Sequence, residues 1–423
     1  VRLGRPTEGL GVGPTGAFAA ARLVGLAAGL VAVLLSARLF GPDGRGVIAA
    51  FAVLQFLGAT GLALGSGSGA FVAAHRDTET GPAIANGLLA IAAGLGVVAA
   101  ALAGAAWFLG AWHVAIPGTP LVVALALGPA VAGQYLVLGG SQLALGAGAT
   151  KRAAAGLVIG PAVMLLSVGA AAVAGLSLPD FLLVQAAAWL LAGAIFVIAG
   201  GGRLPALSSA RAILTGGRGA ALGDLTNALS YRVDVLLVAA LAGSAATGVY
   251  SLATQLMEPL WLLATSTASG LLIGFRGRSE PERAARTVRA GRQTAALTAA
   301  GAVALVLAVP VAASLAGPGF EDAPRIALLL APGIVFLAIA KILAAYQTSL
   351  GRLWLGSVIA TVAVAVGVAG GLLLIPPFGA AGAALAASLS YGSALAMWLV
   401  AFRGVRVDVG AEPADDEPRP AAL

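Results

Sequence analysis

Apolar residues along this chain neither alternate nor keep to one helical face. They form long unbroken runs, separated by short stretches of Gly, Pro and charge. A helix needs about 20 apolar residues to cross the hydrocarbon core of a bilayer. By that measure the pattern predicts twelve spans, at roughly 15–40, 46–74, 82–110, 119–148, 153–176, 179–200, 219–243, 246–275, 292–317, 325–350, 353–376 and 378–402. The third and fourth are joined by "AWHVAIPG", where Trp112 suits a membrane interface. The last two are joined by "IPPFG", a rigid Pro-Pro turn.

Composition supports this reading. The chain is 60% hydrophobic and 10% charged, with a mean hydropathy of +0.99. A soluble domain carries about 25% charged residues, so lipid must solvate most of this surface. The expected fold is an all-α membrane protein. Sixty glycines agree, because membrane helices pack through small residues. With no cysteine there is no disulfide, thiol catalysis or thiolate-bound metal. His75 and His113 lie far apart near span ends, so no zinc site and no other metal centre is expected. The first apolar run reads as a span rather than a cleavable leader, because many more follow it.

The net charge of +7 does not indicate nucleic acid, because the cations occupy short loops. With an even number of spans both termini share a side. Eighteen of the 24 Lys and Arg residues fall on that side and three on the other (Arg38, Arg45 and Arg325). Arg22, Arg232 and Lys341 remain inside spans. The asymmetry predicts cytoplasmic termini in a multi-pass protein of the cytoplasmic membrane.

The chain also looks duplicated. "GPDGRGVIAAFAVL" at 41–54 returns as "GSAATGVYSLATQL" at 243–256, offset by 202 residues. "ALGPAVAG…SQLALG" at 126–146 returns loosely at 329–351, and Pro129 matches Pro332. Two six-helix bundles in the same orientation follow, and repeats of this kind build transporters whose substrate site lies between the halves. The expected parts are an N-terminal lobe at 1–200, a linker at 201–218, a C-terminal lobe at 219–402 and a disordered acidic tail at 403–423. The linker's "RAILTGG" reads either as a short amphipathic surface helix or as a solvated tether. The basic stretch 276–293 reads as a solvated topogenic loop or a helix on anionic lipid. The Gly-rich "GLALGSGSGAF" at 61–71 lacks the GK[ST] ending of a phosphate loop and reads as a helix-packing site.

Charged residues inside spans are costly and mark function by default. Asp224, Asn227, Tyr231 and Asp234 share one face of span seven at steps of three and four. Arg232 points to another flank, about 160° from Asp234. Ser251, Thr254, Gln255 and Glu258 form a polar stripe in span eight, followed by Pro259. Lys341 sits in span ten, with Gln347 after it, and Arg22 lies about two turns into span one. Against each stands a bland alternative. Arg22 can snorkel to headgroups, Asp234 and Glu258 can neutralise cations on other helices, and Asp224 can cap span seven. No nucleophile–base pair, HExxH or Walker motif is present, so no enzyme is expected.

The stretches "RLFGPDGRGVIAAFAVL", "LSYRVDVLLVAALAGSAATGVYSLATQLMEPLWLL" and "FGAAGAALAASLSY" resemble the polysaccharide-exporter branch of the multidrug/oligosaccharidyl-lipid/polysaccharide (MOP) superfamily. Those proteins are Wzx-type flippases, and the resemblance spans residues 15 to 402. It implies two six-helix bundles around a central cavity. It further implies alternating-access transport of a polyprenyl-diphosphate oligosaccharide, with glycosyltransferases or a polymerase of the same pathway as partners. Arg22, Arg232 and Lys341, aided by Gln255 and Gln347, would hold the diphosphate and sugars. Asp234, Glu258 and Asp224 would couple transport to H+ or Na+, and no other cofactor is implied. MurJ-type lipid II flippases are relatives with a denser arginine cluster in the N-terminal half, whereas this half shows one mid-span arginine. Drug antiporters of the superfamily place acids in the cavity, which Arg232 and Lys341 disfavour. A scaffold that transports nothing is the remaining alternative. The charge asymmetry yields a direct test. Cysteines placed in the 201–219 and 276–293 segments should react with an impermeant thiol reagent only after the membrane is opened. Labelling in intact cells would overturn the topology.

Overall fold

The computed structural model describes residues 14–275 and 277–403, and the predicted acidic tail lies outside them. The described residues are helical, in the order α1 (Pro14–Gly61), α2 (Ser66–Arg76), α3 (Gly81–Phe108), α4 (Ala111–Ala115), α5 (Leu121–Gly146) and α6 (Thr150–Ala174), then α7 (Leu178–Ile198), α8 (Leu207–Gly217), α9 (Ala221–Gly274), α10 (Glu280–Ala316), α11 (Ala323–Ser349) and α12 (Leu353–Phe402). Nine of these are long and apolar enough to cross a membrane. Three of the nine are far too long for one crossing. The 48 residues of α1 would extend about 70 Å at 1.5 Å per residue, against a hydrocarbon core of about 30 Å. Each of the three is broken at one glycine, Gly41 in α1, Gly243 in α9 and Gly379 in α12. Splitting them there yields the twelve segments expected from the pattern. The chain is an all-α, multi-pass membrane protein.

Gly41 (φ 65°, ψ −175°) and Gly243 (φ 83°, ψ 179°) adopt nearly the same backbone conformation, one that a side chain would strain. The turns they begin pack against each other with little space between them. A Cβ on Gly46 would overlap the Ser244 carbonyl oxygen, and one on Gly248 would overlap the Pro42 carbonyl oxygen. Positions 42 and 46 are the repeat partners of 244 and 248. The contact is therefore reciprocal, as a two-fold relation between the halves requires. The Ser244 hydroxyl also donates to Asp43 Oδ1 at 2.5 Å. A third turn closes over this end, because Gly319 lies against the Pro42 ring. There the Gly319 backbone N–H holds the Glu321 carboxyl below its ordinary pKa.

Two cores lie on either side of this contact. One gathers residues of α1 to α7 with Ala210 and Ile213 of α8, and the other gathers residues of α9 to α12 with Val33, Ala37, Ala49 and Val53 of α1. Both halves place an in-helix proline near a close glycine contact. The α5 helix carries Pro129 and sets Gly133 on the Trp189 backbone of α7. The α11 helix carries Pro332 and sets Gly333 on Ser388 of α12.

Four regions differ from the sequence expectation. Span two ends at Gly61, where Leu64 and Gly65 take positive φ and α2 starts as a separate helix. The glycine run does pack closely, but across this break. Gly65 and Gly69 admit the backbone of Gly217 and Ile213 of α8. The linker is thus neither a free tether nor a helix merely lying on lipid. Ala210 and Ile213 are buried, and Asn86 Oδ1 accepts from the backbone N–H groups of Arg203 and Leu204. The segment 280–292 is not a loop but the first turns of α10, started by a capping box between Ser279 and Glu282. Trp112 is not at an exposed interface. It is 4% exposed, and its indole N–H donates to the Thr119 hydroxyl at 2.8 Å.

The reciprocal glycine contact makes a prediction. Gly46→Ala and Gly248→Ala should each cost about 1–3 kcal/mol of this packed form and lower the midpoint of thermal melts in detergent. Gly94→Ala should leave the midpoint unchanged, since an added Cβ there meets nothing. Equal midpoints for all three variants would remove the contact as a constraint.

Candidate functional site

A cavity of about 590 Å3 lies between the two lobes. Its polar lining comes from four long helices. The α1 helix supplies Arg22, Arg45 and Gln55, α5 supplies Gln134, α7 supplies Gln185, and α9 supplies Arg232, Ser251, Thr254, Gln255 and Glu258. Among the described residues, three arginines thus share this lining with a single carboxylate.

The pairing among these groups is incomplete. The Arg232 guanidinium lies 3.7 Å from Glu258 Oε1, with both side chains partly exposed to the cavity. Arg22 donates to the Ser266 hydroxyl at 2.9 Å, which joins the first segment of α1 to the second segment of α9. Arg45 is 2% exposed and donates through one terminal nitrogen to Gln255 Oε1 at 2.6 Å, while its Nε has no partner among the described residues. Arg45 and Arg232 line the same cavity. Two like charges in a low-dielectric space favour an anion between them. A planar guanidinium suits the paired oxygens of a phosphate in particular.

Arg45 escaped the sequence reading, which assigned it to an outer loop beside "GPDG". Pro42 explains its true position. A proline with fixed φ starts a helix readily, so the segment after Gly41 is already helical at Arg45, whose side chain turns inward.

Of the residues expected to hold substrate, Arg22, Arg232 and Gln255 line the cavity. Lys341 and Gln347 do not. Lys341 lies on α11 between Ala340 and Ile342, which belong to small cores within the C-terminal lobe. Gln347 is 1% exposed and ties the end of α11 to α12, donating to the Ala401 carbonyl at 3.0 Å and accepting from Arg352 at 3.3 Å. Among the three acids, Glu258 alone faces the main cavity. Asp234 opens instead on a second space of about 20 Å3 inside the C-terminal lobe, bordered by Ser230, Ser390 and Tyr391. Its carboxylate accepts from the Tyr250 hydroxyl at 2.5 Å and from the Val235 backbone N–H at 2.9 Å. Asp224 is exposed in the first turn of α9, within 3.4 Å of the Ser68 hydroxyl, where a carboxylate complements the helix dipole. No cluster of metal ligands occurs among the described residues.

No family model and no curated protein matches the chain. Solved structures do. A lipid II flippase MurJ in an inward closed conformation is 14% identical with a TM-score of 0.71, covering 91% of this chain and 87% of its own. An inward-facing multidrug resistance MATE family transporter of the MOP superfamily is 15% identical with a TM-score of 0.71, covering 90% and 94%. An outward-facing MATE family transporter of the same superfamily is 16% identical with a TM-score of 0.59, covering 92% and 95%. The chain therefore has the fold of MOP superfamily transporters, in agreement with the expected all-α membrane class.

The excess of arginine over carboxylate sets an electrostatic prediction. Inorganic pyrophosphate should bind the purified protein, more weakly as salt rises. Glu258→Gln should strengthen binding about tenfold by freeing Arg232. An unchanged affinity, measured by calorimetry, would show that Glu258 is not the counter-ion of this site.

Proposed function

We propose that this chain is an alternating-access flippase of the cytoplasmic membrane that carries a polyprenyl-diphosphate-linked saccharide. The observation that carries this reading is the cavity between the lobes, where Arg22, Arg45 and Arg232 face one carboxylate. A diphosphate must shed water to enter a membrane interior, and buried guanidinium groups replace that water with charge-assisted hydrogen bonds. Leu26, Leu30 and Val33 line the same cavity and suit the lipid portion. A cation antiporter would need acids where these arginines stand.

In this reading the packed turns at Gly41–Gly46 and Gly243–Gly248, which join the two halves, close the cavity at their end. By the distribution of loop cations that end faces outward, which makes this an inward-directed form. The higher TM-score to the inward-facing MATE transporter than to the outward-facing one supports the same assignment. Proton or sodium coupling would fall to Asp234, which opens on its own space rather than the main cavity, with Glu258 as the counter-ion of Arg232. Asp224, exposed at the end of α9, is the weakest coupling candidate. Partner enzymes would be those that build or polymerise the saccharide.

Arg45 also favours a second reading. The sequence argument against a lipid II substrate rested on one N-terminal in-span arginine, and the cavity holds two, Arg22 and Arg45. A peptidoglycan precursor therefore stands beside an oligosaccharide as cargo, and both carry a lipid diphosphate.

Transport in liposomes tests the reading. Arg232→Ala and Arg45→Ala should abolish flipping of a polyprenyl-diphosphate saccharide, while Arg232→Lys keeps part of it because an ammonium lacks the planar fork. Lys341→Gln should flip at close to the parental rate. Asp234→Asn should remove the response to an imposed pH or sodium gradient. Parental flipping by both alanine variants would defeat the proposal.

A further inference from the structure

The N-terminal wall of the cavity carries uncharged chemistry that the arginine site does not use. Gln55 of α1 is 1% exposed and Gln185 of α7 is 3% exposed. Both line the cavity, and both keep one polar atom without a partner among the described residues: Nε2 of Gln55 and Oε1 of Gln185. The other end of Gln185 reaches the Met164 sulfur at 3.3 Å, a weak acceptor. Gln134 lines the same wall. Trp189 stands one helical turn from Gln185 on α7 and also lines the cavity, and Gly160 leaves room for its ring.

Leaving a buried amide without a partner is unfavourable, so each of these groups favours a ligand that completes it. The pair offers one free donor and one free acceptor. A phosphate only accepts and an ammonium only donates, so neither satisfies both. A hydroxyl does both. An indole ring beside such amides presents an apolar face for the C–H side of a pyranose. We propose that Gln55, Gln134, Gln185 and Trp189, carried by α1, α5 and α7, form a subsite for an uncharged sugar ring. This deepens the transport reading and rests on it. The cavity then reads its cargo twice, the diphosphate through arginine and the first sugars through amides. At about 590 Å3 it has room for a diphosphate and a short headgroup.

Binding to the full chain in detergent tests the subsite with three probes. These are a short-chain prenyl diphosphate, the same lipid bearing glucose, galactose or N-acetylglucosamine, and the same lipid bearing an alanyl peptide without sugar. At least one sugar-bearing lipid should bind about tenfold more tightly than the bare diphosphate. In Gln185→Leu, Gln55→Met and Trp189→Leu the ratio of those two affinities should fall to about one. A misfolded variant would instead lose both probes together, and thermal melts identify it. A parent that binds every lipid alike, or variants that keep the ratio, would overturn the subsite while leaving the diphosphate reading intact. A gain for the peptide lipid alone would overturn it in favour of a peptide-reading wall. Failure of the parent to bind any lipid diphosphate would overturn both proposals.

Discussion

Everything in this molecule is arranged around the point where two backbone turns meet with only glycine hydrogens between them. Gly46 faces the carbonyl of Ser244, and Gly248 faces that of Pro42. The two halves are thereby joined at one end and free to diverge toward the other. A space must open where they diverge, and the helices bounding it are the pair that carry the turns, α1 and α9. That is why the cavity arginines come from those two helices. Arg45 lies at the joint beside Gly46, Arg232 nearer mid-span and Arg22 toward the far end, so positive charge is spread along the depth of the gap rather than gathered at one level.

A cationic gap in a membrane protein is unfavourable unless each charge has company. Here the companions are few and chosen. Glu258 answers Arg232, Gln255 answers part of Arg45, and Ser266 answers Arg22. Each leaves bonding capacity unused. An arrangement that satisfied every donor would be more stable and would hold nothing. Asp234 shows the contrast. Its oxygens accept from Tyr250 and Val235, and although it lies two residues from Arg232 it opens on a separate space. Division of labour between a gap that binds an anion and a lobe interior that holds an acid follows from this separation.

How much of this could be read from the sequence depended on the kind of signal. The twelve spans were legible because lipid imposes length and hydropathy on every crossing. The paired turns were legible because Gly41 and Gly243 recur with their neighbours at a fixed offset. Arg232 was legible because a charge in a span is expensive wherever it points. Direction was not legible. Lys341 and Gln347 bear the same chemistry as cavity residues, yet neither lines the cavity. Arg45 hid beside a turn, since nothing in a short polar stretch says how soon the helix resumes. Gln55 and Gln185 hid for the opposite reason, because one neutral amide in an apolar run is too common to stand out. The break at Leu64 and Gly65 escaped because the run stays apolar across it.

The docking of α8 on α2 carries a consequence for slack. Between the N-terminal lobe and α9 the chain is pinned up to Gly217, by Asn86 at one end of the linker and by glycine contacts at the other. Only the short turn Arg218–Ala220 separates that anchored segment from the start of α9. At about 3.5 Å per extended residue such a turn can pay out roughly 10 Å. The covalent leash between the halves is therefore short. Any swing of one lobe against the other beyond that reach must either peel α8 from its seat or turn about the leash as a fixed point.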